Sequence, residues 1–105
     1  MRSGGSVRCI RTDDQVQLAE LLLDVGREAA SYKSAASLYS LSMVASLLLP
    51  YADESEVTLF FDLGEYLYEC ADDVAKGPLA QADGWREQAL QRLLKSLRAA
   101  KLSRR

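Results

Sequence analysis

At 105 residues, with 13 basic and 15 acidic side chains and a net charge of −2, the chain is long enough for one domain with one core and too short for a catalytic cleft between domains. It contains no histidine, so the usual general base, zinc ligand and proton switch are missing, and its two cysteines, Cys9 and Cys70, form neither a CxxC pair nor a disulfide framework. These features point to a reducing, cytoplasmic setting and to no cofactor, and the near-neutral total gives no strong preference for nucleic acid or membrane.

Met1 to Arg11, MRSGGSVRCIR, is rich in Gly, Ser and Arg, has no apolar period and reads as a flexible tail ahead of a single helical domain over 12–102. It lacks the basic flank and apolar run of a secretory signal. Thr12 opens the first helix: in TDDQ the Thr12 hydroxyl is placed to take the Gln15 N–H while the Gln15 side chain returns to Thr12, and Asp13 and Asp14 suit the positive end of the helix dipole. Leu18, Leu21, Leu22, Val25, Ala29 and Tyr32 then form one stripe, with Gln17, Glu20, Asp24, Arg27 and Glu28 opposite. Val16, Ala19, Leu23, Gly26 and Ala30 add an apolar flank, so the apolar arc exceeds half the circumference and one neighbouring helix does not cover it.

Ser34 to Ala52, SAASLYSLSMVASLLLPYA, is nineteen residues without a formal charge and reads as the central helix. Leu38, Leu41, Ala45, Leu48 and Leu49 fall on one side and Ala36, Tyr39, Met43 and Leu47 on another, which predicts neighbours on both. Five serines, two tyrosines and Pro50 argue against a membrane span. Two readings of its join to the first helix are open. An unbroken four-three spacing from Leu18 to Met43 suits one continuous, dimerising helix. Against it, an unbroken run from Thr12 to Leu49 would be roughly 55 Å long, and Ser31 and Ser34 offer a turn and a new N-cap.

Pro50 ends the central helix, and Asp53 with Glu56 starts the third. There Phe60, Leu63, Leu67, Cys70 and Val74 share a face opposite Asp62, Glu65, Glu69, Asp72 and Asp73. Lys76, Gly77 and Pro78 mark its end, residues Gly77 to Ala82 form a linker, and Asp83 is placed to cap the fourth helix. In that helix Leu90, Leu93, Leu94, Leu97 and Ala100 face inward with Ala89, Trp85 is expected to anchor the first turn, and Lys101 on the apolar side predicts fraying near Ala100. The class is all-α, a four-helix bundle of antiparallel hairpins.

The acidic stripe of the third helix is the one candidate metal face, but it lies opposite the apolar face and reads as solvated. Cys70 reads as a small buried apolar residue. From Asp53 to Asp73 there are eight acids and no base, and from Arg86 to Arg105 seven bases and one acid, which predicts antiparallel packing of the last two helices with complementary rims. The alternative use of the bases is a basic surface of Arg92, Lys95 and Arg98 for nucleic acid, weakened by the lack of interleaved aromatics.

Ala19 to Pro50 resembles a tetratricopeptide repeat hairpin, because Gly26, Ala45 and Pro50 fall at the spacings where that repeat places its helix-A Gly, helix-B Ala and terminal Pro. Phe60, Leu63, Gly64 and Leu67 resemble the first-helix positions of a second unit, with Trp85 to Ala100 as its second helix. The resemblance implies a helical groove for a peptide or partner helix. The sequence thus predicts a non-enzymatic interaction module, an adaptor, small chaperone or inhibitor, that binds a protein partner or dimerises through Leu23, Ala30, Tyr39, Met43 and Leu47. The alternative is a nucleic-acid-binding accessory protein acting through the last helix.

Overall fold

A computed structural model describes residues 12–54, 56–77 and 84–103. It contains α1 (Thr12–Ser31), α2 (Ala35–Leu47), a 3₁₀ turn at Leu49–Tyr51, α3 (Val57–Lys76) and α4 (Trp85–Ser103), with no strand among the described residues. The all-α, four-helix expectation holds. The tail at 1–11, with Cys9, and the proposed cap Asp83 lie outside the described residues, as does Pro78.

The join between α1 and α2 is a hairpin, and the continuous helix is excluded. Ser34 N–H donates to the Ala29 carbonyl (3.0 Å) and Lys33 N–H to the Ala30 carbonyl (2.9 Å), the paired bonds of a Schellman ending. Lys33 occupies the left-handed position of that motif at φ 55°, where glycine is usual. Ser34 then caps α2, its hydroxyl accepting the Ser37 N–H at 3.3 Å.

The organising helix is α3, not α2. Leu59, Phe60, Leu63, Leu67, Cys70 and Ala71 of α3 are all buried, whereas α2 buries only Leu38 and Ala45 completely. Small residues set the spacing on two sides. A Cβ at Gly64 would stand 3.6 Å from the Ala45 Cβ and from the Ser42 carbonyl, so α2 rests almost backbone to backbone on α3. On the α1 side, a Cβ at Gly26 would run into the Leu67 side chain. The Ser42 hydroxyl donates to the Gly64 carbonyl across the α2–α3 contact at 2.9 Å.

Several sequence expectations are corrected. In α1 the flank Val16, Ala19, Leu23 and Gly26 turns inward with Leu22, while Leu21, Val25 and Tyr32 of the expected stripe are exposed. The second stripe of α2 is split: Tyr39 packs against the core, but Met43 is 63% and Leu47 65% exposed. The Cα trace is only 18 Å across its thinnest direction, room for two layers of helices with axes about 8–10 Å apart and no third. The Thr12 side chain of the TDDQ cap lies outside the described residues. Gln15 is buried, and its Oε1 accepts the Asp53 N–H at 3.1 Å, tying the start of α1 to the segment before α3. Glu56 is a buried N-cap residue, and the first turn of α3 holds no acid. Trp85 is 55% exposed and is no anchor. α4 continues past Ala100 to Ser103, because Lys101 reaches Glu20 of α1 at 2.6 Å.

Two stability predictions follow from these placements. The left-handed conformation costs a side-chain-bearing residue roughly 1–2 kcal/mol, partly offset by the extra freedom glycine gives the unfolded chain, so Lys33→Gly should stabilise by up to about 1 kcal/mol in urea denaturation. A Lys33→Gly protein no more stable than the parent would show that the Schellman ending is not under strain. Leu38→Ala, at a fully buried site, should cost about 2–5 kcal/mol, whereas Met43→Asp, measured at protein concentrations too low for self-association, should stay within about 0.5 kcal/mol of the parent, as an exposed substitution does. Comparable losses at both positions under those conditions would mean that the outer side of α2 is covered within the chain.

Candidate interaction surfaces

The side chains of α3 that face α4 are held by a ladder of polar contacts. Arg86 Nε lies 3.2 Å from Asp73 Oδ2, Arg92 Nη2 lies 3.3 Å from Glu65 Oε1, and the Ser96 hydroxyl donates to buried Asp62. Rising numbers on α4 meet falling numbers on α3, so the two helices are antiparallel with complementary rims, as the charge asymmetry predicts. The acidic stripe is therefore not simply solvated: Asp62, Glu65 and Asp73 serve α4. Arg92, Lys95 and Arg98 are exposed, but Arg92 already has a carboxylate. Pairs of this exposure are worth about 0–1 kcal/mol each, so they fix register more than they stabilise.

Asp72 belongs to a separate group on the α2 side. The Lys76 ammonium, at 2.9 Å, holds its carboxyl below the usual range, helped by the Tyr39 hydroxyl, which donates to it at 3.2 Å. Tyr39 meets Tyr68 edge to face, ring centroids 5.4 Å apart. These contacts fix Tyr39, half-buried, against α3.

The residues expected to bind a partner do not share one environment. Leu23 is 6% exposed and lies in the core, where Val16, Ala19 and Leu93 are also buried, so it cannot be the centre of an outer patch. Ala30 and Tyr39 are half-buried against the core. Met43 and Leu47 are exposed, and with them stand four side chains the partner assignment omitted: Leu21 and Val25 on α1, Tyr32 in the turn after it and Val44 on α2. Leu21 and Val25, at i and i+4, share a face of α1. The hairpin thus presents six large apolar side chains to solvent. The apolar surplus read from the sequence is real, but it lies on the opposite flank of α1 from the one expected.

A second surface is a groove of about 200 Å³ between α2 and α3. Ser42 and Ser46 form one wall, Phe61, Glu65, Tyr68 and Glu69 the other, and Gly64 the floor. Sequence reasoning missed Phe61 and Tyr68; their i, i+7 spacing was the available signal.

Among the described residues no group of three or more Cys, Asp or Glu side chains is arranged to hold a metal ion, and no described helix is long and apolar enough to cross a membrane. Cys70 is buried, as expected, and burial pushes its thiol pKa up, which favours the unreactive neutral form. No family model matches the chain, and neither a curated protein nor a solved structure matches it. The tetratricopeptide resemblance therefore rests on its own residues. Of these, Gly26 and Ala45 do sit at close helix contacts.

The phenol of Tyr66, half-buried, is the group most displaced in titration. Burial, and then its hydrogen bond to the Cys70 sulfur, push its pKa from 10.0 up to about 12. A raised folded-state pKa gives stability that is present below pH 10 and lost as pH rises from 10 towards about 12. In an alkaline titration followed at the tyrosinate absorbance band, Tyr66 should ionise last of the five tyrosines, after Tyr39, whose pKa is also raised, together with the loss of helical circular dichroism. Tyr66→Phe should delete that late phase. A late phase that persists in Tyr66→Phe would assign it to another tyrosine.

Proposed function

We propose that the protein is a non-enzymatic helical interaction module whose α1–α2 hairpin packs against an apolar helical surface, in the first place that of a second copy. The observation that carries this reading is the set of six large apolar side chains exposed on the hairpin, Leu21, Val25, Tyr32, Met43, Val44 and Leu47. Large exposed apolar patches mark interaction sites in soluble domains. The second copy is favoured because α2 carries no charged residue. At a two-fold interface each residue near the axis meets its own copy, and an uncharged helix meets itself without like-charge contact. Its serines and alanines also allow close approach. An adaptor, chaperone or inhibitor role would use the same face for a partner helix. Binding of nucleic acid by Arg92, Lys95 and Arg98 is the weaker reading, since Arg92 is engaged by Glu65 and the neighbouring Arg86 by Asp73.

Sedimentation equilibrium tests the proposal. The wild type should behave as a dimer, and the pair Met43→Glu with Leu47→Glu should give a folded monomer whose unfolding free energy, corrected for dissociation, changes by less than about 1 kcal/mol. A wild type that remains monomeric at high concentration would rule out the second copy as the occupant.

A further inference from the structure

We propose that the groove between α2 and α3 receives an arginine side chain presented by a partner protein. Phe61 and Tyr68 are 54% and 51% exposed, two turns apart on α3, with Glu65 between them on the same face and Glu69 one turn further along. Exposed aromatic rings at this spacing do not serve the core. They stand at the two ends of a cleft whose other wall is Ser42 and Ser46 and whose floor, at Gly64, has no side chain. Tyr68 is held in place by its edge-to-face contact with Tyr39, so one end of the cleft is formed before any ligand enters.

The chemistry of these walls selects the occupant. Glu65, which the groove shares with Arg92 on the α4 side, and Glu69 are its charged groups, and none of the residues lining it is basic. A cation over an aromatic face is attracted by the ring quadrupole, and of the two basic side chains arginine is the better match. Its planar guanidinium stacks on a ring while its N–H groups reach a carboxylate. A groove of about 200 Å³ is of side-chain size and too small for a helix. The chain supplies its own precedent, since the Arg92 guanidinium contacts Glu65 from the α4 side. The groove is lined by other side chains than the apolar face of the hairpin, and neither proposal requires the other.

The test is an NMR titration of the full chain with a capped pentapeptide of alternating alanine and arginine, its lysine counterpart and its citrulline counterpart. Saturable amide shifts should centre on Gly64, Glu65 and Tyr68 with the arginine peptide, be weaker with lysine and be absent with uncharged citrulline. Tyr68→Leu, which keeps apolar bulk but removes the π face, should weaken arginine binding about two- to five-fold. Phe61→Leu should act in the same direction, and Glu69→Gln should weaken binding of both cationic peptides. Thermal melts of each variant control for folding. Equal affinity for arginine and lysine, shifts spread over the acidic faces of all the helices, or affinities unchanged by Tyr68→Leu and Phe61→Leu would each overturn the proposal. None of these outcomes bears on whether the protein dimerises through Met43 and Leu47.

Discussion

Three helices share the apolar surface of one. The buried positions of α3 meet all three neighbours: Gly64 lies against α2, Leu67 against α1 and Asp62 against α4. A helix so placed can be approached closely only where its neighbours are small. Gly26 of α1 yields to Leu67, and Ala45 and Ser42 of α2 lie against Gly64. These contacts fix the height and rotation of α1 and α2 on α3, because a ridge of large side chains at the same points would lift the helices apart and open voids that a close-packed interior does not tolerate. Everything outside them, including which side chains face solvent, is a consequence.

That constraint explains which parts of the structure could be read in the sequence. Periodicity and capping residues locate all four helices, and Ser34 and Gly77 mark boundaries that the structure keeps. The rims of α3 and α4 were legible because charge is segregated so sharply that only one pairing satisfies it. The inward face of α1 was not legible. Its apolar arc is wide enough to offer two candidate faces, and counting large residues favours the one with Leu21, Val25 and Tyr32. Packing chose the other, since Ala19 and Gly26 let α3 approach and Tyr32 would hold it away. α2 was misread for a related reason: a helix that is apolar all round has no preferred face in sequence, and absence of charge does not measure burial. The uncharged stretch therefore looked central, while the true centre, α3, carries five acids. The Lys33 position was hidden because its glycine-like conformation is adopted by a residue that seldom takes it.

The candidate sites inherit the same logic. With α3 surrounded on three sides and the bundle two layers thick, the outer side of α2 and one flank of α1 have nothing left to meet. Met43 and Leu47 were legible as residues off the main core stripe, and they are exposed. Leu23 was misplaced because it belongs to the flank that packing turned inward. Phe61 and Tyr68 escaped notice because aromatic residues at helical spacing are core residues more often than surface ones, and only the three-dimensional arrangement shows the cleft beside them.

The pairing of α4 with α3 also shapes what the surface can select. Eight acids in one segment and seven bases in another would give a separated chain strong local fields of opposite sign. Folding brings them together: Arg86 and Arg92 meet Asp73 and Glu65, and Lys101 meets Glu20. Each pair adds little stability in water, but together they cancel most of the far field, leaving a total of −2. A molecule of this kind has little means of steering a highly charged polymer from a distance. On the interaction reading proposed above, discrimination comes at contact range, from apolar area on the hairpin, where α2 has no charge to repel a like helix, and from the carboxylates and rings exposed at the edge of α3.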